Sequence, residues 1–196
     1  MQVKRLLHNT VVVDCKVGCV VFDPYLIPPD AHLKADYIFI THSHYDHFSP
    51  EDIRKISGED TKMVCPKSME TDVLPVVEQI EGLKITRVAA YNIGKQFHKP
   101  EHGGLGYIID DGTASLYVAG DTDFIPEMKR IRCDICALPI GGTYTMDARE
   151  AAMAANAIRP KQVIPTHYGD IPSVADAQAV GELKSLLDPA IECIVF

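Results

Sequence analysis

Short apolar runs alternate with helical patterns along most of the chain. Runs rich in Val and Ile predict strands over residues 10–15, 19–22, 37–41, 63–65, 85–89, 106–109, 115–119, 135–138, 163–165 and 191–195. Several are continuous rather than alternating, which fits strands buried on both faces. Polar capping residues mark the helices between them. Ser49-Pro50-Glu51-Asp52 offers a Ser cap, a proline at the first helical position and acids in the first turn. Asp147-Ala148-Arg149-Glu150 fits a capping box and opens an alanine-rich helix to about Ile158. Ser173 predicts a last helix to about Leu187, and Ser68 a shorter one to about Val77, with Pro75 disturbing its end. No repeat or linker interrupts the alternation, so residues 1–196 are expected to form one α/β domain.

The positions just after these strands carry the chemistry. His42-x-His44-x-Asp46-His47 follows the run 37–41. Two imidazoles two residues apart reach one metal from a bent, extended turn, while Asp46 and His47 are free to serve a second. Asp121 follows the run 115–119 through Gly120, and its two oxygens suit a bridge between metals. Taken alone, Gly-Asp-Thr reads equally as an Asx-turn or a helix cap. His167 ends the run 163–165 beside Gly169, and His98 or His102, before the strand 106–109, offers a further imidazole to the first metal. Asp23 ends the second strand, where it is expected to fix the strand end or to orient a ligand histidine. His8 and His32 have no such setting and receive no role.

Composition narrows the function classes. The chain has 196 residues, 46% hydrophobic and 23% charged, and a formal net charge of -8. Negative charge disfavours nucleic acid, which is held by Lys and Arg against phosphates. A small anionic substrate stays open, because divalent ions invert the local sign. No apolar run approaches the roughly 20 residues of a membrane span, and the basic start lacks a secretory h-region, so a cytoplasmic protein is expected. The six cysteines then read as reduced thiols. Cys133-x-x-Cys136 lies at the entry of a buried strand with no second close pair, which favours packing over a zinc or redox role.

The order and spacing of these elements resemble the metallo-β-lactamase superfamily. The stretch from Gly120 to Met128, followed by Pro139 to Asp147, is similar to the small subgroup related to ascorbate-6-phosphate lactonase. The resemblance implies a four-layer αβ/βα sandwich with metals at one edge of the paired sheets. It implies that His42, His44 and His98 hold one metal, with His102 as the rival to His98. It further implies that Asp46, His47 and His167 hold the second, and that Asp121 bridges. The expected cofactors are two divalent ions, zinc first, with manganese or iron as alternatives. Asp46 and Asp121 are the catalytic candidates. Gly142 and Tyr144, in the loop before the capped helix, are the substrate-binding candidates, through backbone N–H groups and the tyrosine. The expected activity is hydrolysis of a small ester, lactone or phosphodiester. A metal-binding accessory or sensor protein without turnover is the competing class. The expected partner is a small-molecule substrate, and a homo-oligomer is compatible with so short a chain.

Overall fold

A computed structural model describes residues 1–69, 71–169 and 177–196. Two sheets form its centre. The first holds β1 (Gln2–Arg5), β2 (Val11–Cys15), β3 (Gly18–Phe22), β4 (Ala35–Phe39) and β5 (Ser57–Val64), in that order. The second holds β6 (Lys84–Ala89), β7 (Leu105–Asp110), β8 (Ser115–Val118), β9 (Ile135–Pro139), β10 (Gln162–Thr166) and β11 (Glu192–Cys193), in reverse order across the sheet. Strands β3, β4 and β5 pair in parallel, as do β8 through β11.

Period-two alternation sorts the side chains into layers. Val11, Val13, Val20, Phe22 and Phe39 of the first sheet meet Tyr107, Ile109, Leu116, Val118 and Ala137 of the second. Their neighbours Val12, Val21 and Ile38 face the other way, onto Ile53 and Ile56 of helix α1 (Pro50–Ile56). On the far side of the second sheet, Tyr117, Cys136, Leu138 and Val163 meet the alanines of α2 (Ala148–Ile158) and Leu183 of α3 (Ala177–Leu186). The layers are therefore helix, sheet, sheet, helices, the sandwich expected from the sequence. Each large side chain buried this way contributes about 1.5–3 kcal/mol. The alanines let α2 lie close on the sheet, and Asp147 and Glu150 close its capping box.

Two expectations need correction, and one strand was not anticipated. No helix starts at Ser68: residues 67–68 turn, and Val76 makes a parallel bridge with Met63. Pro75 explains this, since it cannot donate to a helix and its carbonyl accepts instead from Met63 N at 2.9 Å. Strand β5 begins at Ser57, before its apolar end, because its first half is polar and exposed. Strand β1 is an edge strand of mostly polar residues, invisible to an apolar scan. The Ser173 cap lies outside the described residues. The described cysteines are all free thiols, and Cys133 Sγ lies 3.3 Å from Cys136 Sγ. Among the described residues, no helix is long and apolar enough to cross a membrane.

Candidate metal centre

Strand ends from both sheets converge at one edge of the sandwich. After β4 the chain runs through Ile40 and Thr41 into a tight turn in which Phe48 N donates to His44 O at 2.8 Å. That turn carries His42, His44, Asp46 and His47. From strand β8 the chain runs on through Ala119 to Gly120, whose left-handed backbone (φ +66) delivers Asp121. A Cβ at Gly120 would lie 2.9 Å from Thr41 Cβ, so only glycine lets the two sheets approach here. His98 and His167 themselves adopt left-handed backbone, at φ +56 and +57, as do His8 and Asp23. Side chains held in such strained conformations mark places where the surroundings over-determine the geometry.

Asp121 is at the centre. Its Oδ1 lies 3.2 Å from His47 Nε2, and its Oδ2 lies 3.1 Å from His167 Nε2 and 3.3 Å from His98 Nε2. His98 Nε2 is 2.9 Å from His44 Nδ1, and the His42 ring packs against those of His44, His47 and His98. Among the described residues, three groups have ligand-type atoms mutually within 4.8 Å: His42, His44 and His98; His42, His47 and Asp121; and His8, Asp46, His47 and His167. His42 Nε2, His47 Nε2 and Asp121 Oδ1 are buried without a hydrogen-bond partner. Unsatisfied buried polar atoms cost about 1–3 kcal/mol each, and a bound cation would satisfy all three. The donor set of imidazoles and carboxylates fits a transition-type divalent ion.

Electrostatics follow from this crowding. Burial holds the imidazoles of His42, His44 and His98 below their ordinary protonation range, with His42 well below. Neutral imidazoles are what a metal requires. Burial also opposes charge on His47, but Asp121 and Asp23 overcome it and push that ring well above its usual range. For Asp121, burial is likewise the largest influence and opposes ionisation, yet His167 and His47 drive the carboxyl well below the usual range. Asp46 is lowered too, against burial, by the hydrogen bond with His8 and the charge of His47.

Supporting contacts fix each ring. His47 Nδ1 donates to Asp23 Oδ2 at 2.8 Å, and Asp23 also accepts from Thr41 N at 2.8 Å and Thr41 Oγ1 at 2.7 Å. Asp23 thus ties the strand end to Thr41 and orients the ring of His47. His98 Nδ1 donates to Tyr144 O at 3.1 Å, and Asn92 Nδ2 donates to the same carbonyl at 2.6 Å. Lys95 Nζ ties down that loop, donating to Thr145 O at 2.6 Å and Gly142 O at 3.2 Å while pairing with Asp123 at 2.6 Å.

Each sequence-derived ligand candidate lies in this cluster except His102. His102 ends a short 3-10 turn (Pro100–His102) and lines the adjoining cavities of ≈100 and ≈230 Å³ with His42 and Ser43. The substrate-binding candidates Gly142 and Tyr144 lie in the loop beside His98. Gly142 N donates to Met146 O at 3.0 Å and Thr143 N to Gly141 O at 3.0 Å, so those amides are consumed within the loop. Tyr144 serves His98 through its carbonyl, while its ring packs 5.5 Å from Phe97. His8, Asn92 and Lys95 were not singled out from sequence. Only His8 left a trace there, as a polar His-Asn-Thr step before an apolar strand.

A model of the beta-lactamase superfamily domain matches residues 2–167, which span the cluster from His8 to His167. The chain belongs to this superfamily. Within it, the chain is 30% identical to a UPF0173 metal-dependent hydrolase of Pyrobaculum islandicum, over 89% of this chain and 87% of the relative. That similarity places it in the UPF0173 family of metal-dependent hydrolases. A solved structure assigned as a metal-dependent hydrolase, from Parabacteroides distasonis, is 32% identical and superposes with a TM-score of 0.83, covering 98% of this chain and 91% of that one. Igni18, a metallo hydrolase from Ignicoccus hospitalis, is 24% identical with a TM-score of 0.79, covering 99% of this chain and 94% of that one. It shows the superfamily fold.

Proposed function

We propose that the chain, acting as one domain over residues 1–196, is a hydrolase using two divalent ions on a small ester, lactone or phosphodiester. His42, His44 and His98 would hold the first ion and Asp46, His47 and His167 the second, with Asp121 shared between them. One observation carries this reading: the single buried carboxylate of Asp121 touches His98 from the first group and both His47 and His167 from the second. Zinc is the first choice by donor type, with manganese or iron as alternatives.

When bound, the ions supply Lewis acidity and bring the ionisation of water towards neutral pH. The chain's own residues do the rest. Asp46 is the more exposed of the two carboxylates, 16% against 2% for Asp121, so it is the one placed to orient a water and accept its proton. Asp121, nearly sealed, holds charge and position. Asp23 and the Tyr144 carbonyl hold a proton on Nδ1 of His47 and of His98, so that Nε2 of each is the atom that would meet an ion, which at His47 would displace the Nε2 proton facing Asp121. His102, Ser43 and Ser68 line the cavity beside His42 and would meet the substrate body.

The test is metal analysis combined with a chelator-sensitive assay over esters, lactones and phosphodiesters. Two ions per chain are expected, with activity lost on chelation and restored by zinc or manganese. Asp121→Ala and His47→Ala should abolish turnover while the protein stays folded. Turnover that persists in both variants refutes the mechanism, and bound metal without turnover over the whole panel favours an accessory or sensor role.

A further inference from the structure

His8 was the histidine with no sequence context, yet it is completely buried against the cluster. It sits between β1 and β2 in left-handed backbone, φ +49. That conformation costs a non-glycine residue on the order of 1 kcal/mol or more, so something must hold it. Two donors do. Arg5 Nε donates to His8 O at 2.8 Å, and His167 N donates to the same carbonyl at 3.1 Å. Arg5 is anchored in turn, donating to Tyr168 O at 2.7 Å with its guanidinium 4.2 Å above the Tyr168 ring. The ring of His8 then lies 4.2 Å from that of His167 and 5.7 Å from that of His47, so it has no room to swing. Its Nε2 faces Asp46 Oδ2 at 3.2 Å.

We infer that His8 is a positioning residue: its Nε2–H donates to Asp46 Oδ2 and fixes the direction in which that carboxylate faces the second metal position. This rests on the two-metal reading above. Among the described residues, Asp46 has no other orienting contact. His47 Nε2 and His167 Nε2 are each 3.9 Å from Asp46 Oδ2, too far for a hydrogen bond. Among the described residues, His8 supplies the one hydrogen bond to this carboxylate. A neutral imidazole suits the task, because it orients the carboxylate without neutralising the charge a cation needs. The same residue binds the main chain of His167 and the side chain of Asp46. It thereby sets the separation of two groups proposed to share one ion. Glutamine carries an amide donor at a similar reach, so His8→Gln should keep the function and His8→Ala should not.

The experiment is a zinc titration of metal-free wild type, His8→Ala and His8→Gln by calorimetry, with cobalt absorption spectra and melting temperatures of the metal-free proteins. Wild type should take up two equivalents. In His8→Ala the first equivalent should bind as in wild type and the second 10–100-fold more weakly, the usual loss when a ligand's outer partner is removed. His8→Gln should recover most of that affinity and keep the wild-type cobalt bands. Unchanged binding of both equivalents in His8→Ala overturns the inference alone. So does a His8→Gln protein as weak as His8→Ala with altered cobalt bands, which would make His8 a direct ligand. Equal weakening of both equivalents with a lowered metal-free melting temperature overturns it in favour of a structural role. A single equivalent in wild type overturns both this inference and the two-metal reading.

Discussion

Replacing Asp23 by asparagine separates folding from metal binding. Asp23 is completely buried, and its Oδ1 accepts from Thr41 N at 2.8 Å. Its Oδ2 accepts from Thr41 Oγ1 at 2.7 Å, His47 Nδ1 at 2.8 Å and, more loosely, Asn9 Nδ2 at 3.3 Å. In Asp23→Asn the backbone donor of Thr41 demands the amide oxygen, so the NH₂ group must face His47. The Thr41 hydroxyl can turn to His42 Nδ1, 3.0 Å away. The remaining mismatch costs about 1–3 kcal/mol. Asp23→Ala strips every acceptor and leaves the buried His47 charge without one of its partners, costing about 3–5 kcal/mol. Metal affinity should rank the other way. Asparagine donates to Nδ1 and drives the His47 proton onto Nε2, the atom facing Asp121, whereas alanine leaves the tautomer free. The asparagine protein should be the more stable variant and the weaker zinc binder, below wild type by at least the 10–100-fold typical of such partners. Calorimetric melting of the metal-free proteins gives the first ranking, and zinc competition against a chromophoric chelator gives the second. An asparagine variant that binds zinc as well as wild type, or better than alanine, refutes the tautomer argument.

Lys95→Met should release the loop bearing Tyr144, lower thermal stability by about 1–3 kcal/mol and weaken the ion held by His98; an unchanged melting curve would show that the loop holds without it. Gly120→Ala should cost at least about 1–3 kcal/mol in backbone strain alone, with further loss from the approach to Thr41, read as a lowered melting temperature. Metal-free protein should lose stability as pH falls below about 6.5: His42, His44 and His98 are held neutral when folded, so the unfolded chain binds more protons there. His47, shifted upward, opposes this by stabilising the fold at low pH and losing that contribution as pH rises, but it is one ring against four, because burial also holds His8 below its ordinary range. Thermal melts at pH 7.5, 6.5 and 5.5 check the sign, and a flat or rising trend towards acid contradicts it.

The strand ends were legible in the sequence because chemistry and pattern coincide there. His42–His47 announces itself by spacing, and Asp121 and His167 by following apolar runs. The choice between His98 and His102 was not legible, because both precede the same strand. Left-handed backbone at His98 and the carbonyl of Tyr144 place that ring, and not His102, beside His42 and His44, and Tyr144 lies on a loop distant in sequence. His8 was missed for a similar reason: its partners, Asp46 and His167, lie far along the chain. The failed helix after Ser68 shows the reverse error, a local cap signal overruled by Pro75 and by pairing with Met63.

The left-handed residues at the sandwich edge have a consequence for the life of the protein. The cluster joins the ends of β3 and β4 in one sheet to those of β8 and β10 in the other. An ion bound there would be a removable cross-link between two halves otherwise joined by apolar contact and scattered hydrogen bonds such as His167 N to His8 O. Zinc at a thousand times its dissociation constant adds about 4 kcal/mol to the folded state, a sizeable share of a domain's total stability. Loss of metal would therefore loosen the seam as well as silence the chemistry. The cell's supply of metal would then govern how long each molecule survives proteolysis as well as how fast it works.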